Sequence, residues 1–228
     1  MKGERGRIMS TRLKELVILG VVASVIIVMV AGSLAAHAAT LDSFETESLL
    51  YVREEEKLAR DTYLTLYDIW GTDIFLTISG SEQNHMDAVK GLLDKYSLED
   101  PALPEIGDFQ NDFLQAKYIE LTAWGAESLE DALRVGCAIE EIDLIDLATR
   151  MEQIDNRDIL TVFQNLTDGS ENHLRAFVSS YESLTGRTYT PLLLDPAVYQ
   201  QIINSDSDSG GSGGGPGGGG NGGPGGRW

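Results

Sequence analysis

Residues 73–96 read DIFLTISGSEQNHMDAVKGLLDKY, and the spacing of their apolar positions decides the fold. Phe75, Ile78, Val89, Leu92 and Tyr96 recur at the 3,4 interval that lays one stripe along an α-helix, so the stretch predicts a long amphipathic helix with a buried seam. Two positions of that seam are not apolar. Glu82 and His85, three residues apart, occupy consecutive seam positions and face inward together.

The same spacing extends in both directions. Towards the N-terminus, Asp42 or Ser43 caps a predicted helix that runs to Trp70 and stops at Gly71, with Leu49, Val52, Glu56, Ala59, Tyr63, Leu66 and Trp70 inward. Towards the C-terminus, Asp100-Pro101 and Pro104 break the chain, and a shorter helix is expected from about Phe109 to Trp124. Ser128 begins a third long helix reaching about Gln153, whose seam is Leu133, Cys137, Glu140, Leu144, Leu147 and Met151. The fourth runs from about Asn156 to Leu184 and ends at Gly186, with Ile159, Phe163, Leu166, Ser170, His173, Phe177 and Leu184 inward. Pro191 to Ile203 reads as a short terminal helix. No fixed-period repeat, Gly-rich phosphate loop or sustained strand alternation interrupts this pattern. The expectation is an all-α domain over residues 42–204: a four-helix bundle whose long crossover connection carries a short extra helix.

The two ends differ in composition from this body. Lys2, Arg5, Arg7, Arg12 and Lys14 precede an uncharged run from Leu16 to Ala36, and Ala36-His37-Ala38 offers the small-x-small pattern that a signal peptidase cuts. The run is also long enough to span a bilayer, so residues 1–38 read as a signal peptide or an N-terminal membrane anchor. Both readings place the body outside the cytoplasm, secreted or held on the outer face of the membrane, with no other membrane contact. Residues 205–228 are Ser/Asp followed by Gly with Pro216 and Pro224, a composition expected to stay disordered as a tether.

Charge and cysteine content remove whole classes. With 36 Asp+Glu against 17 Lys+Arg the formal charge is -19, and such an acidic surface repels a phosphate backbone, so no nucleic-acid partner is expected. One cysteine, Cys137, excludes an intrachain disulfide, a zinc ribbon and a four-thiolate iron site. It reads as a small buried apolar residue, although it lies one turn before Glu140.

Each long helix is polar only near its middle, and those middles hold Glu56, Glu82, His85, Glu140 and His173. Burying three carboxylates and two imidazoles without compensation costs several kcal/mol per charged group, so their convergence asks for a cation. One or two divalent metals held by carboxylate oxygens and imidazole nitrogens would supply it. Beyond the export segment His85 and His173 are the only histidines, and both are seam residues. The register favours Glu140 over Glu141, and Glu56 also has a bland alternative as an ion-pair partner of Arg60.

At this point the residues resemble a family. Arg53-Glu54-Glu55-Glu56-Lys57-Leu58-Ala59-Arg60 and Asn172-His173-Leu174-Arg175-Ala176-Phe177 look like an uncharacterised prokaryotic group, domain of unknown function 2202, within the ferritin-like superfamily. Glu56-x-x-Ala59-Arg60-x-x-Tyr63 is distantly similar to the first helix of rubrerythrins, and Glu82-x-x-His85 matches the second-helix metal motif of ferritin-like proteins. The resemblance covers about Leu49 to Gly186 and implies a ferritin-like bundle in which Glu56, Glu82, His85, Glu140 and His173 ligate a di-iron or di-manganese centre. This chain departs from the pattern at Ser170, where a second bridging carboxylate is expected, so one of the two sites should be weaker. Asp143 then becomes a candidate to complete a metal shell or to orient a histidine, and Tyr63 a candidate donor to a ligand carboxylate.

Two functions follow from different classes. One is an exported di-metal oxidoreductase of ferroxidase or peroxidase type, reacting with oxygen, peroxide or ferrous iron and drawing electrons from a separate donor, since the single cysteine excludes a fused rubredoxin-type module. The other is a non-catalytic extracytoplasmic metal-binding or adhesion module, towards which Ser170 weighs. A storage shell fits poorly with an export segment and a Gly-rich end. Phe109 and Tyr118 on the crossover are expected to be exposed and would allow a homodimer. The Asn165-Leu166-Thr167 sequon falls inside a predicted helix, which argues against its modification.

Overall fold

A computed structural model describes residues 40–205 of the chain. The segments read as an export signal or anchor and as a Gly-rich tether lie outside the described residues. Six helices follow in order: α1 Ser43–Trp70, α2 Asp73–Tyr96, α3 Asp112–Gly125, α4 Leu129–Met151, α5 Arg157–Thr185 and α6 Pro196–Asn204. The described residues contain no strand, so the fold is all-α.

The boundaries follow from capping chemistry. Asp42 and Glu45 form a reciprocal capping box at the start of α1, each side chain accepting the other residue's backbone N–H at 2.7 and 3.1 Å. Gly71 ends α1 with φ +62°, in the left-handed region where glycine carries no Cβ penalty. Ser128 caps α4 and Asn156 caps α5 through their side-chain oxygens. Two expected boundaries move. Helix α3 starts at Asp112 rather than Phe109, because Asn111 is the residue whose side chain accepts the N–H groups of Phe113 and Leu114. Helix α6 starts at Pro196 rather than Pro191, because Asp195 caps it and proline fits its first turn.

The four long helices lie side by side: α1 against α2 and α4, and α5 against α4 and α2. Helix α3, in the connection between α2 and α4, packs on α1 and α4, and α6 packs on α5. Tyr63, Phe75 and Phe177 meet at one end of the core with ring centroids 5.0 to 6.4 Å apart. Gly136 admits the Phe177 ring, since a Cβ there would stand 2.5 Å from it. The seam on α5 is corrected at its last step. Leu184 is 50% exposed, and the inward position is taken by Tyr181, which packs edge-on against Tyr189.

The connection from α2 to α3 is fastened to one face of α1. Arg53 donates twice to Asp100, at 3.0 and 2.9 Å, and Glu54 accepts the N–H groups of Gln110 and Asn111. Lys57, fully buried, pairs with Asp61, donates to the Glu105 carbonyl at 2.8 Å and lies 4.5 Å from the Phe109 ring centroid. Asp61 also accepts from Arg60 and from the Gly107 N–H. Phe109 is therefore buried, and Tyr118 is half-buried with its hydroxyl 2.7 Å from Thr65, so neither forms the exposed face expected of them. Phe113 and Ile119 are the exposed apolar residues of α3, at 58% and 60%.

Candidate metal centre

At mid-height the seam residues of α1, α2, α4 and α5 meet. Glu82 stands in the middle, with Oε2 2.9 Å from His85 Nδ1 and Oε1 2.8 Å from His173 Nδ1. Glu56 reaches His85 Nδ1 from α1 at 3.1 Å, and Glu140 lies 3.5 Å from His173 Nδ1 on α4. Glu82, His85 and His173 each offer a ligand atom within 4.8 Å of the others'. The three carboxylates are buried, and the imidazoles keep only 12% and 10% of their side-chain surface exposed. The two rings stack with centroids 5.3 Å apart. Gly169 makes room for one of them, because a Cβ at that position would run into the His85 ring.

Neighbouring groups set the orientation of these side chains. His173 Nε2 lies 2.8 Å from Ser81 Oγ, which leaves Nδ1 turned towards the acids. Tyr63 donates to Glu140 Oε1 at 2.5 Å. Burial, reinforced by the charges of Glu140 and Glu82, keeps the Tyr63 hydroxyl protonated and available as that donor.

The charge states divide. Burial works to lower both imidazoles, but the hydrogen bonds and charges of the facing carboxylates prevail, raising His85 to about 11 and His173 to about 10. Burial works to raise Glu82, yet the hydrogen bonds and charges of His173 and His85 hold it down at about 2. Burial pushes Glu56 up to about 7 against the pull of His85, and it raises Glu140 in concert with the Glu82 charge. Without a metal, protons on the two imidazoles partly neutralise the acids.

That compensation is incomplete. Both oxygens of Glu82, Glu140 Oε2, Asp143 Oδ2, Ser170 Oγ and His173 Nδ1 are buried without a hydrogen-bond partner of acceptable geometry. The His173–Glu82 approach is thus a short, charge-assisted contact whose alignment is poor, and it leaves capacity at both atoms. A divalent cation fits this donor set, which combines hard carboxylate oxygens with imidazole nitrogens. Glu56, Glu82 and His85 form one side of the set; Glu82, Glu140 and His173 form the other.

The structure brings together all five residues singled out as ligands and places Tyr63 and Asp143 beside them. Glu141 is turned elsewhere. It accepts the Tyr189 hydroxyl at 2.8 Å and the N–H groups of Leu192, Leu193 and Leu194, and so anchors the segment before α6. Cys137 is buried beside Glu141 and Tyr189; burial and the Glu141 charge push its thiol up, leaving it a core residue. One acid, Glu55, escaped the register argument. Glu55, 2% exposed, lies against Asp146, and Asp143 responds most to burial and then to the charges of Glu56 and Glu55. The run of three glutamates at 54–56 was the available signal, since three adjacent acids cannot all face solvent on a helix packed on several sides.

Comparison with known proteins agrees on the extent of this domain. A solved structure, the crystal structure of hypothetical protein MJ0754 from Methanococcus jannaschii, superposes with a TM-score of 0.72 at 46% sequence identity, covering 74% of this chain and 96% of that one. The same relative, described as an uncharacterized protein of Methanocaldococcus jannaschii, is 47% identical over 167 residues, 73% of this chain and 90% of its own. The model of an uncharacterized protein domain, DUF2202, matches residues 45–206, and the chain belongs to that family.

Proposed function

We propose that this chain is a ferritin-like four-helix-bundle protein whose Glu56, Glu82, His85, Glu140 and His173 hold a carboxylate-bridged pair of iron or manganese ions and support redox chemistry with oxygen, peroxide or ferrous iron. One observation carries the reading: the two oxygens of Glu82 each face a different histidine Nδ1, at 2.9 and 2.8 Å, with a further carboxylate flanking each histidine. Such a carboxylate would serve both halves of the ligand set if two cations were held there. Bound metals would supply electron transfer and open coordination positions.

The protein's own groups have definable tasks. Glu56 and Glu140 supply negative charge, Ser81 holds the His173 ring in orientation, and Tyr63 holds Glu140 in one orientation. Loading displaces the protons that the imidazoles carry, so metal binding should strengthen as pH rises. The apolar layer of Tyr63, Phe75 and Phe177 keeps bulk water from one end of the site. The N-terminal sequence supports operation outside the cytoplasm, with electrons from a separate donor or from ferrous iron itself.

A second reading, a non-catalytic extracytoplasmic metal-binding module, is favoured by Ser170. Its buried hydroxyl stands where a second bridging carboxylate would complete the shell. The experiment that separates the two uses the full chain, counts metal per chain, and records ferrous oxidation by absorbance in the native protein, His85→Ala and His173→Ala. Two irons and an oxidation that both variants abolish support the oxidoreductase. One non-reacting metal supports the module, and no bound metal overturns both.

A further inference from the structure

Between α1 and α4 a line of acids leads away from the centre. On α4, Glu140, Asp143 and Asp146 follow one another at intervals of three residues, so they wind gradually from the core towards the surface and span about 9 Å along the axis. On α1, Glu55 adjoins Glu56 and turns to α4, where it meets Asp146. The outer end reaches solvent: Asp146 is half-buried with Oδ2 3.4 Å from the Tyr51 hydroxyl. The inner end does not. Glu55 Oε1 and Asp143 Oδ2 belong to side chains 2% exposed, and neither has a hydrogen-bond donor.

Acids buried in file are costly to ionise, and burial with mutual repulsion holds Glu55 and Asp143 well above the usual carboxylate range; orphaned oxygens in a packed core are the feature that a cation would satisfy. The single basic group alongside is Arg150. It is held to the rim by Ser48 Oγ at 3.1 Å, Glu47 at 3.5 Å and the Tyr51 ring at 4.2 Å, and it leaves Glu55 and Asp143 unpaired. Glu55 shares a hydrogen bond with Asp146, while Glu55 Oε1 and Asp143 Oδ2 stay without partners. They are also strung out rather than convergent, which suits transit better than residence.

We propose that Asp146, Glu55 and Asp143 form a carboxylate relay that passes divalent cations from the rim of the α1–α4 groove to Glu56 and the Glu/His centre. The proposal rests on the metal-binding reading of that centre. The relay supplies successive oxygen ligands, so an ion entering the core exchanges water for carboxylate stepwise instead of losing its whole shell at once.

The test is the rate of loading, with cobalt(II) as the probe and the full metal-free chain mixed in a stopped-flow absorbance instrument. Glu55→Gln and Asp146→Asn are expected to slow cobalt entry by about tenfold or more, and chelator-driven release by the same factor, with final cobalt per chain and affinity unchanged. Asp68→Asn, which removes an exposed α1 carboxylate away from the groove, serves as the net-charge control and should load at the native rate. Both relay variants keep the size and shape of the side chain and are expected to fold; Asp146, half-buried, is the safer of the two. Native-rate loading in both overturns the relay while leaving the centre intact. Reduced cobalt per chain also overturns it, because the acids would then be ligands. A native chain that takes up no cobalt overturns the centre and the relay together.

Discussion

Along α1, Lys57 and Asp61 are fully buried on the face turned to the α2–α3 connection, while Glu55 and Glu56 are buried on the faces turned to α4 and α2. The first pair is closed. Lys57 has Asp61 and the Glu105 carbonyl; Asp61 has Lys57, Arg60 and the Gly107 N–H. The second group is open, with Glu55 Oε1 and the oxygens of neighbouring Glu82 lacking well-aligned donors. Burial alone therefore does not mark a functional charge; the inventory of partners does. A closed network stabilises a connection, and an open one waits for something the chain does not contain.

The largest expected effect breaks the closed network. Asp61→Ala leaves a buried ammonium without its carboxylate and frees Gly107, so the metal-free protein should lose about 3–5 kcal/mol in denaturant unfolding. Metal per folded chain should not change. A loss under 1 kcal/mol would mean that the connection is not fastened through Asp61.

The open network should respond with the opposite sign. In Glu140→Gln the amide can donate to Glu82 and removes a charge that burial disfavours, so the metal-free protein should gain about 1 kcal/mol. Metal affinity should fall by at least about 100-fold, read by competition with a chelator. A variant that lost both stability and metal would place Glu140 with Asp61, among structural charges.

The fold was legible in the sequence because its signals are local. The capping box at Asp42 and Glu45, Gly71, Ser128 and Gly186 bound the long helices within a residue or two of expectation. The five inward polar residues were legible because the 3,4 spacing places them on the seams. What register could not supply was chemistry off the seam. Glu55 and Asp146 meet across two helices, and Glu141 binds a segment some fifty residues away. Phe109 defied its reading for the same reason: whether an apolar residue outside a helix is covered depends on Lys57 and the path of the connection.

A pH series sharpens the contrast further. The folded values of His85 and His173, about 11 and about 10, lie above the unfolded value of 6.5, so these groups contribute stability that is complete below pH 6.5 and lost as pH rises through 10 to 11. Glu56, raised to about 7, opposes folding once it must ionise, which removes stability between about pH 4.5 and 7. Glu82, held at about 2, contributes stability above 4.5 that disappears as the medium approaches pH 2. The metal-free protein should thus weaken steadily from neutral to alkaline pH. The metal-loaded protein should not, since cations replace those protons. Parallel denaturant curves at pH 6 and pH 9, with and without manganese, measure the difference. Equal alkaline weakening in both forms would mean that the imidazoles do not exchange protons for metal.

The smallest expected effect concerns Ser170, which belongs to the open network by position and departs from it by chemistry. The side chain is fully buried and its hydroxyl has no partner. It lies one helical turn before His173, as Glu82 does before His85. Ser170→Glu would therefore restore the symmetry of two Glu-x-x-His pairs. It also adds volume and a charge to a packed layer, at a cost of about 1–3 kcal/mol to the metal-free protein. If the centre takes two ions as proposed, manganese should offset that cost, and the second ion should bind about tenfold tighter, near 1.4 kcal/mol. Calorimetric titration with manganese resolves the two binding steps. Unchanged affinity in the second step would assign the Ser170 position to packing.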